Sequence, residues 1–535
     1  MSRLLWVGAV LLAASASAIE VDVAGAPLRL KFSEYAVGAY HLDNGYISPP
    51  GSPTYDPTGS NYVDWINRFQ VDASWMDFTL LLRLDSALFV NAPVAAPGNV
   101  RFERLLYQRY VSRVDLEKAS LSWTSRHLDV TLGDIYATYG RGLVLALRKV
   151  DALTIDTSAR GLSLTGKVGD LTVNALGGFS NIINVDTATG RTSNDPFDLI
   201  VGGHADYRVK PWLVPGVSAS WVRLSRNAQD QVPQATQDQT LAISGSLEAP
   251  ALFGWGSAYV EYARQIRTVG GLPYNSGALY VNASLTFGKT TLQAEFKDYR
   301  NYAPLTTSLD STRVPELAMI NTYSVLPTLE RMEQAVKNNT DVTGARVRVD
   351  VNVTDSVTPF VSMAAFVDRI YVDTILDPYA GCEITWQEKR SRAVVSGGYR
   401  PSIHDGGQLD SSVWHAKYLV SQSIAGPYSV ELNGLHMSQT DLVGGKLQPW
   451  MQGQAYLALK SASGWSAAFG YEYFTQAPET IREHYFNGNV SWTANRNLTL
   501  RAFGGGQRGG IKCVNGICRT YPAFSGVRLE VVLTY

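Results

Sequence analysis

Cysteine is nearly absent: the 535 residues include three. That excludes a small scaffold held by a disulfide framework, which needs many cysteines in a short chain. Charge is also scarce, at 17% of residues, and the two signs cancel to a net −1. Such a balance provides neither a basic surface for nucleic acid nor a field of one sign. Beyond residue 18 there is no run of about 18 apolar residues, so no spanning helix is expected. The seven histidines are scattered; His204, His415 and His436 fall in strand-like segments without a nucleophile motif beside them. Phosphate-loop, zinc-spacing and calcium-loop patterns are missing as well. Neither a cofactor nor a metal is expected, and enzymatic activity is not.

What the chain has in quantity is alternation. At its end, Val527, Leu529, Val531, Leu533 and Tyr535 share one face of a strand, against Gly526, Arg528, Glu530 and Thr534, with Val532 the exception. Successive strand side chains point to opposite faces, so one face is oily and the other charged. A soluble sandwich strand shows the same pattern but has no need to finish on an aromatic residue in that register. The segment resembles the C-terminal signal of bacterial outer-membrane β-barrels. That resemblance implies that Val531, Leu533 and Tyr535 are read by a barrel-assembly machinery. At the other end, Arg3, the apolar run Leu4 to Ala14 and Ala16-Ser17-Ala18 make residues 1–18 a secretory signal peptide. No cysteine follows the cleavage site, so a lipid anchor is not expected. Ile19-Glu-Val-Asp-Val23 is faintly similar to the box that couples transporters to an energising protein, but no plug domain follows it.

Residues 19–535 are therefore expected to form one domain, an all-β transmembrane antiparallel up-and-down barrel. Candidate strands at Leu28–Tyr40, Tyr62–Trp75, Phe78–Val90, Val114–Trp123 and Leu128–Tyr136 open a regular beat of tight and long links. Tight links include Val168-Gly-Asp170, Gly288-Lys289 and Thr493-Ala-Asn495; long ones include Ser180–Phe197, Arg226–Gln239, Tyr302–Val342, Pro401–Asp410 and Gly505–Thr520. Short periplasmic turns and long extracellular loops are the topology of such barrels, and the beat gives about 24 strands (22–26). Charges on lipid cost about 2–4 kcal/mol for Arg or Lys at mid-bilayer, so Arg346 and Arg348 are expected to face the lumen. Trp75, Trp123, Trp212, Trp255, Trp386, Trp465 and Trp492 stand near tight turns, as a periplasmic aromatic girdle requires. The alternative, a secreted propeller or tandem sandwich, gives no reason for tryptophan at one class of turn.

One region breaks the alternation. Gly133, Asp134, Tyr136, Tyr139, Gly140 and Gly142 are followed by Ile155, Asp156, Arg160 and Gly161, and later by Leu326-Pro-Thr-Leu-Glu330. These stretches resemble those of a family of large outer-membrane β-barrels of unknown function, with Ala137 and Arg141 as departures from its pattern. The resemblance implies fold and location and assigns no activity. The segment 140–156 sets Arg141, Arg148, Lys149 and Asp151 around the apolar Leu143–Leu147. Either it folds into the lumen, its charges meeting wall acids such as Glu295 or Asp350, or it is two ordinary strands meeting at a glycine-rich turn. Asp134, Asp156 and Arg160 join it as candidate lumen residues. A second candidate filling is the loop 302–342, in which residues 328–337 have the composition of a short helix. In the last long loop, Cys513-Val-Asn-Gly-Ile-Cys518 places a hairpin signal between two cysteines, and a disulfide is expected in an exported chain; Cys382 reads as an inert wall residue. The expected function is a channel, or the membrane component of an envelope export or secretion assembly. The alternative is a surface receptor or adhesin acting through its loops. Expected partners are outer-membrane lipid, the assembly machinery and a periplasmic or lipoprotein component, with nucleic acid excluded.

Overall fold

The strand Phe78–Val90 shows how composition becomes architecture. Leu80, Leu84, Leu88 and Val90 are exposed on one face, while Arg83, Asp85 and Ala87 are buried on the other. The oily face is the outside of the molecule and the charged face its inside, an inversion that only a lipid surround makes favourable. The same holds for Val342–Val351, where exposed Val347 alternates with buried Arg346.

The computed structural model describes residues 19–42, 61–91, 110–150, 155–180, 183–186, 191–194, 198–223, 239–269, 272–303, 323–329, 339–476, 483–514, 517–521 and 523–534. Among them, 25 strands form one sheet. One of these, Ile19–Val23, is a hairpin partner of Ala26–His41 that the alternation did not announce. The other 24 close into a barrel. Successive wall strands are antiparallel, and the ring closes where Ala26–His41 meets Phe524–Thr534, with Ser33 opposite Thr534 and Tyr40 opposite Val527. Closure leaves no edge strand in the wall to recruit another chain.

The strands Tyr62–Trp75 and Phe78–Val90 have the bounds that the sequence predicts. The link expected at Pro401–Asp410 is shorter, because Ser391–His404 and Leu409–Ser423 continue their ladder nearly to the tip. Wall height differs round the barrel. Leu128–Ile135 has 8 residues, whereas Tyr428–Val443 and Lys446–Ser461 have 16 each. At the tight-turn end, rings of Trp212, Phe253, Trp255 and Phe287 touch in succession across neighbouring strands, as an interfacial belt does. Residues 1–18, Tyr535 and most of the loop 302–342, including 330–337, lie outside the described residues. The strands Gly510–Val514 and Ile517–Tyr521 place the backbones of Cys513 and Cys518 directly opposite each other; their side chains lie outside the described residues. Cys382 is free and half-buried.

Candidate functional site

The barrel interior is filled on one side by the chain itself, and the departure point is Gly133. Its φ is +107°, and a Cβ there would meet the Ala119 carbonyl oxygen at 2.0 Å. Only glycine permits this turn against a neighbouring backbone. Beyond it the ladder with Arg113–Thr124 stops, since pairing runs only from Thr124–Asp129 to Ser120–Gly133. The Asp134 carboxylate takes over, accepting the Ala119 N–H at 2.7 Å, the Ser158 hydroxyl at 3.1 Å and Arg160 Nη2 at 3.0 Å.

Residues 136–150 and 155–158 form a lobe; 151–154, with Asp151, lie outside the described residues. Ala137–Tyr139 pairs with Leu145–Leu147, and Lys149–Val150 with Ile155–Asp156. Leu143, Val144, Leu145 and Ala146 are 0% exposed. What covers them is the inward face of the wall, with Tyr302 just past the strand Thr290–Arg300 and the segment 323–329. The Ser220 hydroxyl donates to the Val144 carbonyl at 2.8 Å and that of Tyr302 to the Leu143 carbonyl at 3.0 Å. The Glu261 carboxylate accepts the Arg141 backbone N–H at 2.9 Å, and the Arg141 guanidinium lies over the Tyr259 ring. Tyr259 and Glu261 are buried and alternate with exposed Val260 and Tyr262, so they point into the lumen. Gly140, at φ +58°, is the tip of the lobe: a Cβ would meet both Glu261 carboxylate oxygens and the Tyr259 hydroxyl at 2.6 Å. A second segment braces the lobe from above, with Ala146 N–H on the Tyr323 carbonyl and Val325 N–H on that of Gly142. The apolar clusters around the lobe draw wall residues from Ile135 round to Ile375.

The lobe's return end sits in a charged cluster. A β-bulge shifts the register between Arg83/Lys118 and Leu84/Leu116, so the consecutive Glu117 and Lys118 both turn inward. Arg83 Nη1 donates to Asp156 Oδ2 at 2.6 Å, and its Nε lies 3.0 Å from Asp85. Lys118 Nζ reaches Asp156 Oδ1 at 3.5 Å and Ser158 Oγ at 2.6 Å, and the Tyr136 hydroxyl donates to Asp156 at 2.6 Å. Burial alone would raise the Asp156 carboxyl, but Lys118 and Arg83 outweigh it and hold the group below its ordinary value. Burial raises the hydroxyls of Tyr139 and Tyr302 and lowers the Arg148 guanidinium.

The residues singled out from sequence thus fall into three places. Asp134 with Arg160 and Asp156 with Arg83 hold the two ends of the lobe, while Arg141 lies at its tip and Arg148 and Lys149 in its return. Glu295 and Asp350 are not the lobe's acids: Glu295 pairs with Arg346 at 3.1 Å, directly opposite on the next strand, and Asp350 with Arg348 at 2.6 Å on its own strand. Both charges thus have a partner within the wall itself. Leu533 is buried and Val531 half-buried in the closing strand. Glu261, Arg83 and Glu117–Lys118 escaped the sequence reading, although two adjacent charges in an alternating strand are the mark of a bulge. Elsewhere the lumen carries polar pairs, among them His415 with Asp377 at 3.2 Å and Arg508 with Gln452 at 2.6 Å. Among the described residues no cluster of three metal-ligating side chains occurs.

A closed wall, oily outside and polar within, with a lobe of its own chain inside, defines a transmembrane β-barrel with a partly filled lumen. The chain belongs to a family of unknown function, DUF6029, whose model matches residues 95–326 and 416–535. No curated protein matches it in sequence. Among solved structures it is similar to the siderophore receptor PirA from Pseudomonas aeruginosa, at 9% identity over 95% of this chain and 80% of that one, TM-score 0.45. It is similar to a mutant of the ferric enterobactin receptor PfeA from the same organism, at 9% identity, 94% and 80% coverage and TM-score 0.46. It is also similar to the translocation pore of the P pilus usher PapC, at 9% identity, 94% and 99% coverage and TM-score 0.41.

Proposed function

We propose that the protein is a channel of the outer membrane whose passage is narrowed by the lobe 136–158, and that it is not an enzyme. The observation that carries this reading is the seating of Gly140–Leu147. An apolar strip in a polar lumen is shielded from water by backbone hydrogen bonds to Glu261, Ser220 and Tyr302, and is held at its root by the Asp156 cluster. Wall strands need no such segment for closure, since Leu128–Ile135 already pairs with Ala159–Val168 beneath it. The lobe's position within the lumen is what a constriction requires, because a barrel of this strand number would otherwise be wide enough to leak. On this reading the chain is exported by residues 1–18 and inserted by the assembly machinery through its terminal strand. A periplasmic or lipoprotein component engages the tight-turn end.

The test replaces Arg141–Lys149 by a short Gly-Ser turn in the purified barrel. Single-channel conductance, or entry of large antibiotics into cells, should rise clearly while heat-modifiable migration stays normal. A folded barrel with unchanged conductance would sink the constriction and move the search to the loop 302–342.

A further inference from the structure

The outer face of the closing seam carries a polar pair where lipid should be. In Ala26–His41 the residues on the outward face are Leu28, Leu30, Phe32, Glu34, Ala36, Gly38 and Tyr40, in register with exposed Val527 and Leu529 of the last strand. On the other side they face Trp75, Ala73, Val71, Phe69, Asn67, Trp65 and Val63. Glu34 therefore points out of the barrel within the apolar band, between the aromatic levels of Trp75 and of Tyr40 with Trp65. Its hydrogen-bond partner is Asn67, whose Nδ2 donates to Oε1 at 2.6 Å. Ser86 stands opposite Asn67, again outward, between exposed Leu84 and Leu88.

A lipid-facing carboxylate is a functional-site candidate by default, because hydrocarbon offers it no donor. Lipid headgroups supply donors only at the interfaces, above and below this depth. A protein that crosses the membrane beside it would satisfy Glu34 Oε2 without the carboxyl having to take up a proton. We propose that this protein is a second copy of the chain, the two barrels packing about a two-fold axis through Glu34 and Asn67. The pair is self-complementary: the amide keeps one N–H after serving its own Glu34, and the carboxylate keeps one oxygen. A two-fold contact sets the first against the second on both sides, as an isologous interface demands. The Trp65 ring lies over Gly38 and Ala36 is buried, so the polar pair is framed by half-exposed Ser86 and an oily rim of Trp65, Leu84, Leu88 and Leu529. This pairing is independent of what the lobe does.

The experiment uses the full barrel with Cys382→Ala, extracted from membranes in mild detergent. Light scattering should give twice the chain mass, and Ser86→Cys should cross-link with a short bis-maleimide into a homodimer, whereas Val395→Cys on a remote outward face should not. Glu34→Leu and Asn67→Leu should each lower the dimer fraction at least tenfold while heat-modifiable migration persists, and Glu34→Gln should retain it. Should Glu34→Leu fail to insert, Asn67→Leu and the cross-link of the otherwise native chain decide. A monomeric mass with no Ser86→Cys cross-link means the face meets lipid, and overturns the proposal. A cross-linked product of another mass means a different membrane protein docks there, and overturns it equally.

Discussion

Asp156 is one carboxylate held by Arg83, Lys118 and Tyr136, and through it the lobe is fastened to the wall. Its folded value is depressed, so its contribution to stability is full above the ordinary carboxylate range and is lost as pH falls through the folded value. Conductance should therefore be flat down to about pH 4 and rise only below it. Asp156→Asn should remove that step, which a pH series on the two proteins in planar bilayers would show. Asp156→Ala leaves Arg83 buried without its shortest partner and should cost about 3 kcal/mol by urea midpoint, the low end for a broken buried pair because Asp85 and Glu117 remain. An equal acid step in wild type and Asp156→Asn would assign the titration to other carboxylates. Which acids serve the lobe was the least legible matter in the sequence. Alternation shows that Glu295 and Asp350 face inward, but not that Arg346 stands directly opposite Glu295 and pairs with it. Partners such as Arg141 and Glu261 are separated by so much chain that only the closed ring brings them together.

Among elements, the wall strands were legible because each meets two unlike solvents and records both in period two. The lobe was not, because its apolar run meets only the protein. Leu143–Leu147 reads as an apolar run with no period to assign, and its cover comes from strands far along the chain. Glycine separates the two situations experimentally. At Gly133 an added Cβ collides with wall backbone, so Gly133→Ala should impair barrel formation itself. At Gly140 the collision is with the Glu261 and Tyr259 side chains, at a positive φ costing about 1–2 kcal/mol for a non-glycine residue. Gly140→Ala should consequently fold and insert, lift the lobe tip from Glu261 and raise conductance part of the way towards that of the lobe replacement. Gly288→Ala, at φ +59° in an open turn, shares the backbone cost without the collision and should leave conductance unchanged. If the two alanine variants conduct alike, the tip contact has no part in occlusion.

For the molecule as a whole, the reading depends on which side of the wall meets lipid, and one strand tests it. In Lys446–Ser461, Leu457 points outward and is 53% exposed, while Gln454, three positions earlier, points inward and is exposed to the lumen. Arginine at either place adds the same charge to the same strand. On the outward face it must be taken into hydrocarbon, at about 2–4 kcal/mol near the bilayer centre. In the lumen it remains hydrated, and the cost should stay within about 0.5 kcal/mol, as for an ordinary surface change. Leu457→Arg should therefore lower the urea midpoint of the barrel folded into lipid vesicles and reduce its level in the membrane fraction, while Gln454→Arg should alter neither. In detergent micelles, which deform around a charge more readily than a bilayer, the penalty at Leu457 should shrink. Equal midpoints in vesicles would mean that the oily face is not bathed by lipid, and the inside-out arrangement that organises all 24 wall strands would need another explanation.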